Sequence, residues 1–326
     1  MKTIRQPVTI VGQGIAGSML AWGCERAGME FRIFDPGHAT AASRVGAGLV
    51  SPLTGQRLVP TWRFAEWRDE TLAIYRSLGN ELGMPLVREL QIERRFRNDR
   101  QRELFMSRID RPEVVPWVEA VREDALILRG AFQVDTGRLI RSLRERWIDS
   151  GHLHESKFPP EGVDGDQTVI WCTGADPSPI RSVPWEPSRG EIVRGELADL
   201  EPNTVLNDGQ WVLPMGQNRV LVGALFDRAD LTAGVTVAGQ LELKAAAERL
   251  TGCPLQAAVG DSGLRVNVRD RRPVVGWLDS DRRQGVLSGL AAKGALWAPM
   301  LAKQWRADDL KGEQIDSEVW AGRFAP

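Results

Sequence analysis

The chain has three cysteines, Cys24, Cys172 and Cys253, and they lie far apart. No paired spacing links them, so neither a disulfide framework nor a cysteine-based metal site is expected. They read as small buried hydrophobes of a reducing compartment. Two of the three histidines, His152 and His154, alternate as strand neighbours do and so point the same way. Without a further histidine or a cysteine nearby they do not make a metal site, and no metal is expected. One tyrosine stands beside 12 tryptophans, an imbalance that reads mainly as core aromatics. Neither sign of charge dominates: 42 Lys+Arg meet 43 Asp+Glu, for a formal charge of −1. No global field therefore draws in nucleic acid or an anionic membrane. No apolar run reaches the ~18 residues that a membrane span requires. There are no internal repeats and no low-complexity linker. With 326 residues, 42% of them hydrophobic, the chain can bury a sizeable core in one large or two intimate domains.

What the chain does have is a glycine-punctuated beginning. Val8-Thr9-Ile10-Val11 runs into Gly12, Gly14 and Gly17, a helix-like segment follows to Ala27, and a second short strand, Phe31 to Phe34, ends in Asp35. Strand, turn, helix, strand and terminal acid in this order form the dinucleotide fingerprint. Gly12 allows the tight turn, Gly14 lets backbone approach a pyrophosphate, and Gly17 lets the helix pack closely on the sheet. The helix N-terminus offers free N–H groups, including those of Ile15 and Ala16, and positive dipole to phosphates. Asp35 is placed to accept hydrogen bonds from the adenosine ribose, and its charge disfavours the 2′-phosphate of NADP. A secretory signal is the competing reading, since Lys2 and Arg5 precede a largely apolar run to Cys24. Gln13 and three glycines weaken such a signal core, and Asp35 would then have no task. A cytoplasmic protein is expected.

Farther along, Ala41 to Gly55 is a second stretch of small residues, suited to lie against a flat ligand. Trp62 to Leu82 reads as a helix with Phe64, Trp67, Ile74, Leu78 and Leu82 inward. Residues 88–111 carry eight arginines and five acids and read as a solvated face. Asp135-Thr136 opens a helix to Ser150 with Leu139, Ile140, Leu143 and Trp147 inward. Gln167 to Cys172 is an apolar strand closed by Thr173-Gly174-Ala175. Glu191 to Arg194, Gln210 to Pro214 and Arg219 to Phe226 suggest an antiparallel set. A helix follows from Ala238 to Leu250. The chain closes with a strand, Gly285 to Ser288, a turn, Gly289 to Gly294, and a helix to about Trp305. It thus begins and ends with strand–glycine turn–helix units, and its two domains must interleave. The expected fold is α/β: a Rossmann-like dinucleotide-binding domain (1–80, 125–178, 262–326) interleaved with a mainly antiparallel β-sheet substrate domain of α+β type (81–124, 179–261).

These pieces resemble the D-amino-acid-oxidase-like FAD-dependent oxidoreductases, the group of glycine oxidase, sarcosine oxidase and the oxidase half of a bifunctional tRNA-modifying enzyme. The resemblance is carried by the fingerprint with Asp35, Ser43 to Gly55, Thr173-Gly174-Ala175 and Arg219 to Ala224. It continues through Gly263-Leu264-Arg265, Pro273 to Gly276 and Gly289 to Pro299. It implies FAD held by Gly12, Gly14, Ile15, Ala16, Gly17, Asp35, Ser43, Arg44, Gly48, Thr173, Gly174, Arg265, Gly289, Ala292, Lys293 and Gly294. It places the 289–294 turn under the flavin pyrimidine and makes Arg265 the counterpart of the carboxylate-binding arginine of glycine oxidase, with Lys293 as a second cation. Three departures stand out. Trp211 replaces a carboxylate-holding tyrosine. Leu221 stands where sarcosine oxidases carry a lysine. No cysteine lies between residues 254 and 326 to attach the flavin, so FAD is expected to be non-covalent.

The resemblance implies oxidation of the C–N bond of a small amine or amino acid, with hydride transfer to flavin N5, imine hydrolysis, and oxygen or a quinone as acceptor. Arg265, Lys293 and Trp211 are the expected site residues. No Ser, His or Cys constellation is needed, because the cofactor carries the difficult chemistry. A flavin monooxygenase is a second reading, opposed by Ser288-Gly289-Leu290 where many of those enzymes place Gly-Asp. A third is oxidation of a modified tRNA base. Near-neutral charge opposes it, unless the arginine-rich face docks RNA. The sequence carries no signal for oligomeric state.

Overall fold

The computed structural model describes residues 7–37, 41–55, 57–159, 167–176, 180–306 and 314–324. Lys2, Arg5 and His38 lie outside them. The chain divides into two units: Met1–Gly46, Thr136–Ser188 and Leu264–Pro326 form the first, and Ala47–Asp135 with Arg189–Gly263 the second.

The first unit is built on a six-stranded sheet in the order Val274–Trp277, Gln284–Ser288, Val169–Trp171, Val8–Val11, Phe31–Phe34, Leu153–His154. All pairings are parallel except that of the first two strands. Ile10 sits between Ile33 and Ile170 in register, and all three side chains are fully buried. Such near-continuous apolar runs are what a sheet covered on both faces requires. Helix Thr136–Asp149 buries Leu139, Ile140, Leu143 and Trp147, as their spacing predicts. Helices Ile15–Arg26 and Gly294–Arg306 lie against one another, and a Cβ on Gly294 would stand 2.9 Å from Ile15 Cγ2. Trp305 is wholly buried beside Gly285, where a Cβ would come within 2.4 Å of its ring. His152 and His154 stack on Phe31 (4.7 Å) and Phe34 (4.8 Å).

The second unit is mainly antiparallel. Ala125–Val134 pairs with Val87–Arg95, which continues in parallel to Thr204–Asn207. Trp211–Pro214 and Arg219–Asp227 follow by antiparallel pairing. The strand period of two divides the two faces. Leu213 joins Ile92, Leu128 and Phe105 on one side, and Val212 joins Val193, Val222 and helix Val237–Thr251 on the other. The division between units falls after residues 46 and 135, where the sequence suggested 80 and 124. The reason is pairing: Ala125–Val134 is hydrogen-bonded along Val87–Arg95, and helix Phe64–Glu81 packs on that same strand.

Two smaller readings are corrected. Residues 88–111 are no uniform solvated face, since they contain most of strand Val87–Arg95 and all of helix Asp99–Met106, with Leu90, Ile92, Arg94 and Phe105 buried. Cys253 is exposed, whereas Cys24 and Cys172 are buried and inert, the Cys24 thiol being pushed up to about 12 by burial. Among the described residues no helix is long and apolar enough to cross a membrane.

Candidate cofactor cradle

Parallel strands place their carboxyl ends on one edge of a sheet, where α/β folds bind ligands. At that edge of the first unit stand Gly12 to Gly14, Asp35, Thr173-Gly174 and Gly289. Gly12 leaves its strand at φ 98°, and a Cβ there would lie 2.5 Å from the Cys172 carbonyl oxygen. A Cβ on Gly17 would lie 2.0 Å from the Gly12 carbonyl oxygen, which is why the helix can sit so close to the turn. Gly14 differs: its Cβ would meet only Ser43 Oγ, at 3.5 Å. Its backbone is therefore open on the side where a phosphate would approach.

The donors at this helix start divide cleanly. Gln13 N–H donates to Asp35 Oδ2 at 2.8 Å, and Ile15 N–H donates to Ser43 Oγ at 3.0 Å. The amides of Gly14, Ala16 and Gly17 have no acceptor among the described residues. Ser43 belongs to the short helix Ala42–Val45, and by accepting from Ile15 it keeps its own proton to donate. Thr173 turns its hydroxyl to the Asp176 carbonyl at 2.7 Å, and Gly174 follows at φ 58° with open space beside it.

Asp35 is 5% exposed, and its Oδ1 accepts from Gly37 N–H at 2.8 Å. Arg144 completes its setting: Nη1 reaches Asp35 Oδ1 at 3.2 Å and Gln13 Oε1 at 3.2 Å, and Nη2 reaches the Asp35 carbonyl at 3.2 Å. No pattern in the sequence marks this arginine. It sits between Leu143 and the outward side of an amphipathic helix, and only the packing of that helix brings it to a residue 109 positions earlier.

A ring of backbone contacts binds the other expected residues to the same edge. Ala41 bridges Leu264, and Val266 O accepts from Ala291 N–H at 3.0 Å. Arg265 thus lies between two points tied to the cradle, on strand Gln256–Val268. The turn from Gly289 (φ 74°) through Ala291 (φ 49°) leads to Ala292, Lys293 and Gly294, the last against Ile15. Burial pushes the Arg265 guanidinium down to about 10 and the half-buried Lys293 ammonium down to about 8. Of the acids near Arg265 in sequence, Asp261 pairs with Arg194 at 2.8 Å and Asp270 with Arg323 at 2.8 Å. No described residue pairs with Lys293 Nζ. Arg44 is exposed.

Two expected residues belong to the second unit. Gly48 has φ 63°, and a Cβ there would stand 1.8 Å from the Val134 carbonyl oxygen, so the sheet itself demands glycine. Trp211 lies across Gly223, whose Cβ would stand 2.5 Å from the indole. Among the described residues no group of three or more His, Cys, Asp or Glu is arranged to hold a metal.

Free amides at a helix N-terminus, an oriented carboxylate at the second strand end and small residues between them fit a dinucleotide. Comparison with known proteins agrees. The profile of the FAD dependent oxidoreductase family, DAO, matches residues 7–305. The bifunctional tRNA 5-methylaminomethyl-2-thiouridine biosynthesis protein MnmC of Maricaulis maris (strain MCS10) is 28% identical over 98% of this chain and 55% of its own. The chain thus spans about half the length of that relative. Glycine oxidase of Pseudomonas aeruginosa is 24% identical over 82% of this chain and 85% of its own. Among solved structures, glycine oxidase from Geobacillus kaustophilus shares the fold with a TM-score of 0.78, at 20% identity over 97% of both chains.

Proposed function

The chain belongs to the DAO family of FAD-dependent oxidoreductases, and we propose that within it the protein oxidises the C–N bond of a small amine or amino acid bearing an anionic group. FAD, when bound, supplies the acceptor for the hydride leaving the carbon next to nitrogen. The chain's own residues bind and orient. The Gly14, Ala16 and Gly17 amides and the Ser43 hydroxyl take the pyrophosphate, while Asp35, braced by Arg144, takes the ribose. The cofactor is held without a covalent bond, and acid precipitation should leave it in the supernatant.

The observation that carries this reading is the pair Arg265 and Lys293, two partly buried cations on segments tied by backbone contacts to the edge that carries the glycine turn. Arg265 offers a planar fork to a substrate carboxylate through two parallel hydrogen bonds, which fix orientation as well as position. Lys293, in the glycine turn, adds positive potential where negative charge must be stabilised. The 28% identity to the bifunctional tRNA protein supports a second reading, in which the amine is carried on a modified base. Arg265→Leu decides the role of the arginine. It should keep FAD bound yet raise the substrate concentration for half-maximal flavin reduction tenfold or more, about 1.4 kcal/mol or greater. Unchanged reduction by every carboxylate-bearing substrate would make a neutral amine the better assignment.

A further inference from the structure

Arg94, on strand Val87–Arg95, is 7% exposed. Taking a guanidinium out of water costs several kcal/mol, so buried arginines ordinarily rest on a carboxylate. This one does not. Nη1 donates to Asn207 Oδ1, Nη2 donates to the Gly55 carbonyl at 3.3 Å, and the Phe105 ring lies 5.7 Å from Cζ. All three partners are neutral. Burial pushes the group down to about 10, which leaves it charged at neutral pH.

A cavity of about 210 Å3 opens beside it, within the second unit. Arg97 and Thr54 share its wall with Arg94 and Asn207, and Leu53, Ile92 and Leu128 give it an apolar side. No aspartate or glutamate lines it. The carboxylate facing Arg97 is Asp208, at 3.8 Å, and Arg249 already holds that group at 2.7 Å. Gly209 makes the space for Arg97, since a Cβ there would stand 2.6 Å from Nη2. Asn207 Oδ1 also accepts from Gly209 N–H at 2.8 Å, so the amide oxygen is committed and Nδ2 remains a donor. Two guanidinium groups, an amide donor and a hydroxyl thus surround one space whose lining holds no carboxylate, and the nearest one, Asp208, is shared with Arg249.

We propose that this cavity is an oxyanion site for a phosphate monoester or inorganic phosphate. A phosphate carries about 1.5 to 2 negative charges at neutral pH and several strong acceptor oxygens, which matches two guanidinium groups and their flanking donors. A monocarboxylate would leave one of the two arginines without an opposite charge. The site stands on Arg94 and Arg97 alone and does not depend on the substrate proposed above.

Calorimetric titration of the FAD-loaded protein with inorganic phosphate, ribose 5-phosphate and acetate tests it. Both phosphates should bind and acetate should not. Tighter binding of ribose 5-phosphate would make an ester the ligand, and equal binding the free ion. Arg97→Gln should weaken phosphate at least tenfold. Arg94→Met should abolish binding and, in phosphate-free buffer, unfold at no lower temperature than wild type, because an uncompensated buried charge has been removed. If Arg94→Met does not fold, Arg97→Gln decides alone. Absence of heat with both phosphates, acetate binding as tightly, or wild-type binding in the folded variants overturns the proposal.

Discussion

Asp35 and Arg144 show how one buried carboxylate is held in place. Three donors hold it, the Gln13 and Gly37 amides and the Arg144 guanidinium, and together they set its orientation. Asp35→Ala should weaken FAD retention by ~1.5–3 kcal/mol for each hydrogen bond lost to the charged group. Arg144→Met should weaken it too, by about 1–3 kcal/mol, and lower the melting temperature, because Asp35 then lies buried with a donor missing. Equilibrium dialysis of FAD against both variants measures this, and full affinity in Arg144→Met would deny the bracing role. The place of Asp35 at the end of the second strand was legible in the sequence, because a strand end, a glycine turn and an acid follow one another closely. Arg144 was not, since nothing in a helix of arginines and leucines marks which arginine will meet a distant strand. Lys293 gives a pH-dependent prediction. Burial lowers its ammonium from the ordinary 10.5 to about 8, so between these values the unfolded chain binds more protons. Stability should therefore rise with pH across that window, by up to about 1.4 kcal/mol per pH unit from this group, with no contribution to the slope below it. Urea denaturation below, within and above the window should show the advantage of Lys293→Met over wild type shrinking as pH rises. A constant difference would mean the ammonium is not buried as described.

Among the elements, the two strand–turn–helix units differ in how much they tolerate. A Cβ on Gly17 would meet backbone, the Gly12 carbonyl oxygen at 2.0 Å, which cannot turn aside. A Cβ on Gly294 would meet the end of a side chain, Ile15 Cγ2 at 2.9 Å, which can rotate. Gly17→Ala should therefore cost the 1–3 kcal/mol of an overpacked core or more, and Gly294→Ala clearly less. Thermal melts of the two variants side by side would show it, and equal losses would contradict the packing described. Elements with strong periodicity were legible nearly to the residue: the helix read from Asp135-Thr136 to Ser150 is Thr136–Asp149, and the strand read as Arg219 to Phe226 is Arg219–Asp227. Val87–Arg95 is not legible as a strand because its alternation is written in long polar side chains. Arg88 donates to Gln133 and to the Pro202 carbonyl, and Arg94 is buried among neutral partners, so charge counting mistook a sheet strand for a solvated surface.

At the scale of the molecule, the interleaving of two units was legible from its two ends, since the first and last strand–turn–helix segments need a common sheet. The crossing points were not, because they depend on which strands pair: Ala125–Val134 joins Val87–Arg95, across a separation of 30 to 47 residues. The central claim, FAD-dependent oxidation of a small amine, is tested most directly by mixing the FAD-loaded protein anaerobically with a panel of amines and amino acids and following the flavin band. Bleaching by at least one small amine carrying an anionic group, with release of an aldehyde or keto acid on hydrolysis, is the predicted result. A band unmoved by every member of the panel would contradict it.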